Sequence, residues 1–223
     1  VEIERRVMSI DNTECRVLMN SQDEPEGITG LAGVYRIRTD IGPFFEEIEE
    51  GAFKQAIASS DIRGLQNHDP NYLLGRTKSG TMSVWEDSRG MHYDIPKLPE
   101  SRGDTLESVG RGDIDGNSFG FTVPSDGSGE QWIEQNEESK PLRRITRFER
   151  IFDVGPVVFP QYDEDTKVTT RSAHSVLSDY EQRKLEVVVQ QDDSITEPVQ
   201  QDFSEVHAQR NSVLRDKQLK GMK

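Results

Sequence analysis

From Val1 to about Tyr162 the chain alternates apolar and polar residues over short stretches that Gly, Pro and Asp repeatedly interrupt. A period of two is the pattern of a half-buried strand, and such frequent breakers leave no room for long helices. The clearest strands are 33–38, 81–85, 91–95 and 119–123, with 86–90 as a hairpin loop between two of them. Helical signals are few: 51–58 is short, and 101–111 carries Leu106 and Val109 at helical spacing before Gly112 ends it. The expected fold class is mainly β with a few helices, an α+β domain.

Beyond Tyr162 the pattern changes. Gln, Asp, Glu, Ser and Lys dominate, and although 180–189 and 203–219 are helical candidates, Asp192-Asp193, Pro198 and the Gln pairs leave little to bury. With 32% hydrophobic and 30% charged residues over 223 positions, part of the chain lies outside any core. The expected division is a folded domain over 1–162 and a polar, flexible or partly helical tail over 163–223. Within the first part, 126–140 is rich in Gly, Ser, Glu and Gln around Trp132 and Ile133 and reads as a mobile loop or elongated hairpin.

A formal charge of −14 argues against nucleic-acid binding, which needs concentrated Lys and Arg to displace counterions from phosphates. Cys15 is the only cysteine, so an intramolecular disulfide and a thiolate zinc site are excluded. No apolar run approaches a membrane span, and the first residues lack the apolar stretch of a secretion signal. The expected compartment is the cytoplasm, and a start at Val1 fits a trimmed chain or a fragment.

Three segments carry chemistry. His68 precedes Asp69-Pro70, and the residue before proline is kept out of the helical region, so the segment is an extended turn able to present an imidazole. Imidazole suits general-base work near neutral pH, although a histidine in a surface loop has the same local pattern. Ser118 lies in Asp115-Gly116-Asn117-Ser118-Phe119-Gly120-Phe121, where glycines let a substrate approach a nucleophile; an ordinary turn entering a strand also fits. Asp153 sits among Phe152, Val154, Val157, Val158 and Phe159, an apolar setting in which a carboxylate needs a partner. Glu149 is the alternative acid, but Arg147 and Arg150 beside it suggest a solvated ion pair. His92, His174 and His207 have no metal-site spacing, and Asp163-Glu164-Asp165 lacks that of a calcium loop, so neither a metal nor a cofactor is expected.

Together these segments resemble the prohead proteases of tailed bacteriophages. Asn67-His68-Asp69-Pro70 with Leu74-Gly75-Arg76-Thr77 is similar to the family's His segment. Ile114 to Phe121 is similar to its nucleophile segment, and Phe152 to Pro160 to its acid segment. Gly30-Leu31-Ala32-Gly33-Val34-Tyr35 and Phe45 to Phe53 match its opening strand and helix start, so the resemblance spans roughly 28–162. Three positions depart from the family pattern: Asn117 replaces an apolar residue, Gly155 a common Ser, and Asp153 a more usual Glu.

The resemblance implies the fold of the herpesvirus assembly proteases, a β-barrel surrounded by helices in which a homodimer supports activity. It implies a serine endopeptidase with Ser118 as nucleophile, His68 as base and Asp153 orienting His68. Arg143-Arg144 is the candidate basic pair of the oxyanion site. Scaffold and major capsid proteins would be the substrates, inside the prohead in the bacterial cytoplasm, with self-cleavage an additional expectation. The polar tail would be a cleavage site or a tether to scaffold or coat. A catalytically silent head-assembly protein retaining the fold is the alternative, and an esterase using the same residues a third reading.

Overall fold

The computed structural model describes residues 3–7, 14–134, 140–159 and 167–193. Its strands are β1 (Glu4–Val7), β2 (Cys15–Met19), β3 (Pro25–Val34), β4 (Thr39–Asp40), β5 (Phe45–Ile48), β6 (Arg63–Leu65), β7 (Leu73–Arg76), β8 (Ser83–Glu86), β9 (Gly90–Ile95), β10 (Gly116–Thr122), β11 (Glu130–Ile133), β12 (Leu142–Ile145) and β13 (Arg150–Val157). The helices are α1 (Lys54–Ser59), α2 (Gly103–Arg111) and α3 (Lys167–Asp193).

The α+β class expected from the alternating pattern is observed, with strands outweighing helices. Three sheets account for the described strands: β1-β10-β13-β6-β7, β11-β12-β5-β4 and β2-β3-β9-β8. None of them closes on itself as a barrel. The hairpin expected over 86–90 joins β8 to β9, where Asp87 Oδ1 accepts the backbone N–H groups of Arg89 and Gly90. Strand β3 begins earlier than expected and stops at Val34, because Arg36 adopts a left-handed φ of 60°. Gly112, at φ 78°, ends α2 as its sequence position predicts.

Strand β10 runs through the middle of the first sheet and is buried at every residue. Its pleat sends Phe119 and Phe121 to one face and Ser118 and Gly120 to the other. Phe119 and Phe121 join Phe53 and Phe148 in an aromatic cluster, with Phe53 stacked on Phe148 at 4.5 Å and Phe121 edge-on to Phe148 at 4.9 Å. This cluster lies within a core that also takes Ile28, Tyr93, Ile95, Ile145, Ile151 and Val154 from all three sheets. The strand carrying Ser118 is therefore anchored by the largest apolar side chains of the domain.

Two compact units divide the chain, Val1–Asp179 and Tyr180–Lys223, so the first continues past the boundary expected at Tyr162. The reason lies in α3. Ala173, Val176 and Leu177 share a helical face and join Ile41, Phe44 and Trp132 in a second apolar cluster. Trp132 stands edge-on to Phe44 at 5.1 Å, and the segment holding it is β11, paired antiparallel with β12. The helix expected over 180–189 falls inside α3; that expected over 203–219, with Asp163-Glu164-Asp165 and His207, lies outside the described residues.

Candidate active site

Ser118, His68 and Asp153 meet on one face of the five-stranded sheet. Ser118 on β10 sits opposite Gly155 on β13 and Val7 on β1, and Gly120 sits opposite Asp153. Ser118 and Asp153 thus project from neighbouring central strands toward the same side. His68 is delivered from elsewhere. The chain leaves β6, makes a single tight turn over 66–68 and returns as β7, which lays the imidazole over the two strands.

His68 Nε2 lies 2.6 Å from Ser118 Oγ, and His68 Nδ1 is hydrogen-bonded to Asp153 Oδ1. Each ring nitrogen has one partner, so a carboxylate accepting from Nδ1–H leaves Nε2 free to accept the serine proton. The Ser118 hydroxyl also reaches the backbone carbonyl of Arg6 at 2.8 Å. One proton thus has two acceptors, a carbonyl and an imidazole. Ser118 is fully buried and Asp153 is 7% exposed, so the line of groups works in a medium far less polar than water.

The two glycines of the site follow from crowding. A Cβ on Gly120 would stand 2.7 Å from Asp153 Oδ2, and one on Gly155 would collide with the Leu65 carbonyl. Gly120 therefore makes the space the carboxylate occupies, and Gly155 lets the β6 end and the His68 turn lie against β13. The departure at Asn117 has a different explanation. Asn117 is fully buried, accepts from the Tyr93 hydroxyl at 2.7 Å and donates to the Glu14 carbonyl at 2.9 Å. It is a satisfied core amide holding β10 to β9 and to the start of β2.

Other residues singled out by the sequence lie apart from this line. The Glu149 carboxylate accepts from Thr122 Oγ1 at 3.3 Å and makes no contact with His68. Arg143 is buried with its donors engaged by Glu130 Oε2 at 2.6 Å, Glu4 Oε2 at 2.6 Å, Glu46 Oε2 at 3.0 Å and Glu4 Oε1 at 3.0 Å. Arg144 pairs with Glu47 at 3.1 Å. Neither guanidinium touches Ser118, His68 or Asp153, so their geometry gives no support to an oxyanion role. His92 stacks on Trp85 at 5.4 Å, away from the three residues.

Arg143 belongs instead to a buried ion cluster. Arg6 joins it, donating to Glu46 Oε1 at 2.6 Å and to Glu4 Oε2 at 2.7 Å. Burial alone would raise the Glu4 carboxyl, but the charges of Arg143 and Arg6 overcome it and hold the group below its ordinary value of 4.5. Burial likewise opposes the charge on Arg143, and Glu4, Glu46 and Glu130 reverse the balance, raising the guanidinium above its ordinary range. Arg6 and Asn67 are the neighbours of the site that local sequence reading misses. Arg6 in Val1-Glu2-Ile3-Glu4-Arg5-Arg6 has no feature that distinguishes it from a solvated charge.

Among the described residues, no group of His, Cys, Asp and Glu is placed to hold a metal ion, and no helix is long and apolar enough to cross a membrane. The family model of the caudovirus prohead serine protease matches residues 14–179. No curated protein and no solved structure matches the chain.

Proposed function

The chain belongs to the caudovirus prohead serine proteases, whose model covers residues 14–179 of its 223, and from that membership we propose a serine endopeptidase acting through Ser118, His68 and Asp153. The observation that carries the proposal is the unbroken line from Ser118 Oγ through the His68 ring to Asp153. Ser118 Oγ attacks the scissile carbonyl carbon as its proton passes to His68 Nε2. Asp153 stabilises the imidazolium through Nδ1–H, and His68 then gives the proton to the leaving amine. Water repeats the sequence on the acyl-enzyme and regenerates the serine.

The substrates are scaffold and major capsid proteins enclosed with the protease in the prohead, and the chain itself is a further target. The catalytic domain is the unit ending at Asp179, and the polar stretch beyond it is the region for self-cleavage or tethering to coat. Kinship with the herpesvirus assembly proteases, including their homodimer, belongs to the same reading, although the described sheets do not close as a barrel. It is supported by the strand-rich core, in which one central strand presents the nucleophile.

Incubating wild type and Ser118→Ala with scaffold and capsid protein, followed by intact-mass analysis, tests the proposal. Wild type is expected to release fragments that the variant does not. Identical outcomes for the two chains would overturn the enzyme reading in favour of a silent head-assembly protein. The departure from the family pattern at Asn117 gives that alternative no support, because the Tyr93 and Glu14 contacts account for it.

A further inference from the structure

The turn that carries His68 is built from two consecutive non-glycine residues in the left-handed region, Asn67 at φ 55° and His68 at φ 59°. Side chains with a Cβ resist this conformation, and Asn tolerates it best because its short amide can bond nearby backbone. Two such residues in succession persist only when their surroundings hold them there. The Asn67 side chain supplies part of that hold. Its Oδ1 accepts the backbone N–H of Val158 at 2.9 Å.

Val158 immediately follows β13, the strand that bears Asp153. The backbone ladder between β6 and β13 consists of Arg63↔Asp153 and Val154↔Gly64, so it has ended before the turn begins. Asn67 continues the connection beyond that point by a side chain. One residue earlier, Gln66 Oε1 accepts from Thr105 Oγ1 at 2.6 Å, which ties the approach to α2. Two side-chain ties therefore fix the chain just ahead of the imidazole, and the one that reaches the end of the acid's strand is that of Asn67.

We infer that Asn67 is a positioning residue: by combining a left-handed backbone with a hydrogen bond to Val158, it keeps the His68 ring in line between Ser118 Oγ and Asp153. This rests on the protease reading above, and it adds a residue that touches none of the reacting atoms. Asn67 is exposed, so the bond contributes little to global stability, and its effect on the ring separates from an effect on folding. A reacting group displaced by about 1 Å slows chemistry by about a hundredfold without weakening substrate binding.

The experiment uses the full chain, its scaffold protein as substrate, and three variants. Asn67→Ala loses both features and is expected to lower kcat by about 10- to 100-fold with KM within about twofold. Its thermal midpoint is expected to move by no more than about 2 °C. Asn67→Asp, which keeps the acceptor and tolerates the backbone, is expected to retain kcat within about threefold, whereas Asn67→Gly, which relieves the backbone but lacks the acceptor, stays at least about fivefold down. NMR of the substrate-free protein reads the same property without catalysis: the His68 Nδ1 proton bonded to Asp153 should be sharp in wild type and Asn67→Asp and exchange-broadened in Asn67→Ala and Asn67→Gly.

Wild-type kcat and an undisturbed His68 proton in Asn67→Ala or Asn67→Gly would overturn the inference. So would a loss of activity that only tracks the unfolded fraction. A wild type that cleaves nothing defeats the protease reading, and the NMR comparison still decides the role of Asn67.

Discussion

Among the described residues charge is buried in two places, and they are built in opposite ways. In the cluster of Glu4, Arg6, Glu46, Glu130 and Arg143, three carboxylates face two guanidiniums, and the Arg143 nitrogens each have an acceptor. Around Ser118, His68 and Asp153 a single mobile proton is shared among too many acceptors, the imidazole and the Arg6 carbonyl both competing for it. The cluster fastens; the triad is left able to pass a proton. Burial of ionisable groups is common to both, so burial alone does not mark catalysis, and the distinguishing property is hydrogen-bonding capacity left unfilled.

The sharpest way to break this contrast is to alter each region and read both activity and stability. Asp153→Asn is expected to cut kcat by about 10⁴-fold, because the amide holds His68 in the wrong tautomer, while the unfolding midpoint in urea moves little. Arg143→Met is expected to do the reverse in kind. It leaves Glu4 and Glu130 without their principal buried cation and costs about 3–5 kcal/mol of stability in the same urea titration. If Arg143→Met instead leaves stability unchanged, the cluster does not fasten β1 and the contrast collapses.

A smaller effect probes the space around the acid. Gly120→Ala puts a methyl against Asp153 Oδ2, and a displaced carboxylate is expected to lower kcat by about 10- to 100-fold. Unchanged kcat in that variant would show that Asp153 has room to spare. The mildest test is acid titration of the fold. Glu4 is held below its ordinary value of 4.5, so the unfolded chain binds more protons than the folded one on the acid side. Its contribution is complete above pH 4.5 and is lost as pH falls through the depressed folded value. Urea midpoints across the acid range should therefore decline below pH 4.5, and Glu4→Gln should flatten that decline.

Local patterns are what made the three residues of the proposed triad legible. His68 before Asp69-Pro70, Ser118 between glycines and Asp153 in an apolar run each have a signature within a few residues. The strands around 91–95 and 119–123 were legible for the same reason, since alternation is a local property. What was hidden depends on contacts between distant segments. Arg6 meets Ser118 across a separation of 112 residues, and Arg143 meets Glu4 across 139, so nothing beside either residue announces the contact. Asn67 carries a weak signal, being a residue tolerant of left-handed backbone in a turn, but its bond to Val158 depends on where β13 ends.

The docking of α3 lay between these cases. Ala173, Val176 and Leu177 recur at helical spacing, a real signal diluted by polar neighbours on both sides. The cluster with Ile41, Phe44 and Trp132 is what turns that stripe into a packed face. Whether sheets close into a barrel is likewise a matter of pairing between remote strands, and no period within one strand encodes it.

Arg6 belongs to both charged regions at once, through its guanidinium on one side and its carbonyl on the other. During synthesis on the ribosome this segment emerges well before its partners Ser118 and Arg143. A nascent chain thus holds β1 unmatched until the segments bearing Ser118 and Arg143 have been translated. The surroundings of Ser118 are assembled late, and on the protease reading a polypeptide still being made has no finished blade with which to cut its neighbours.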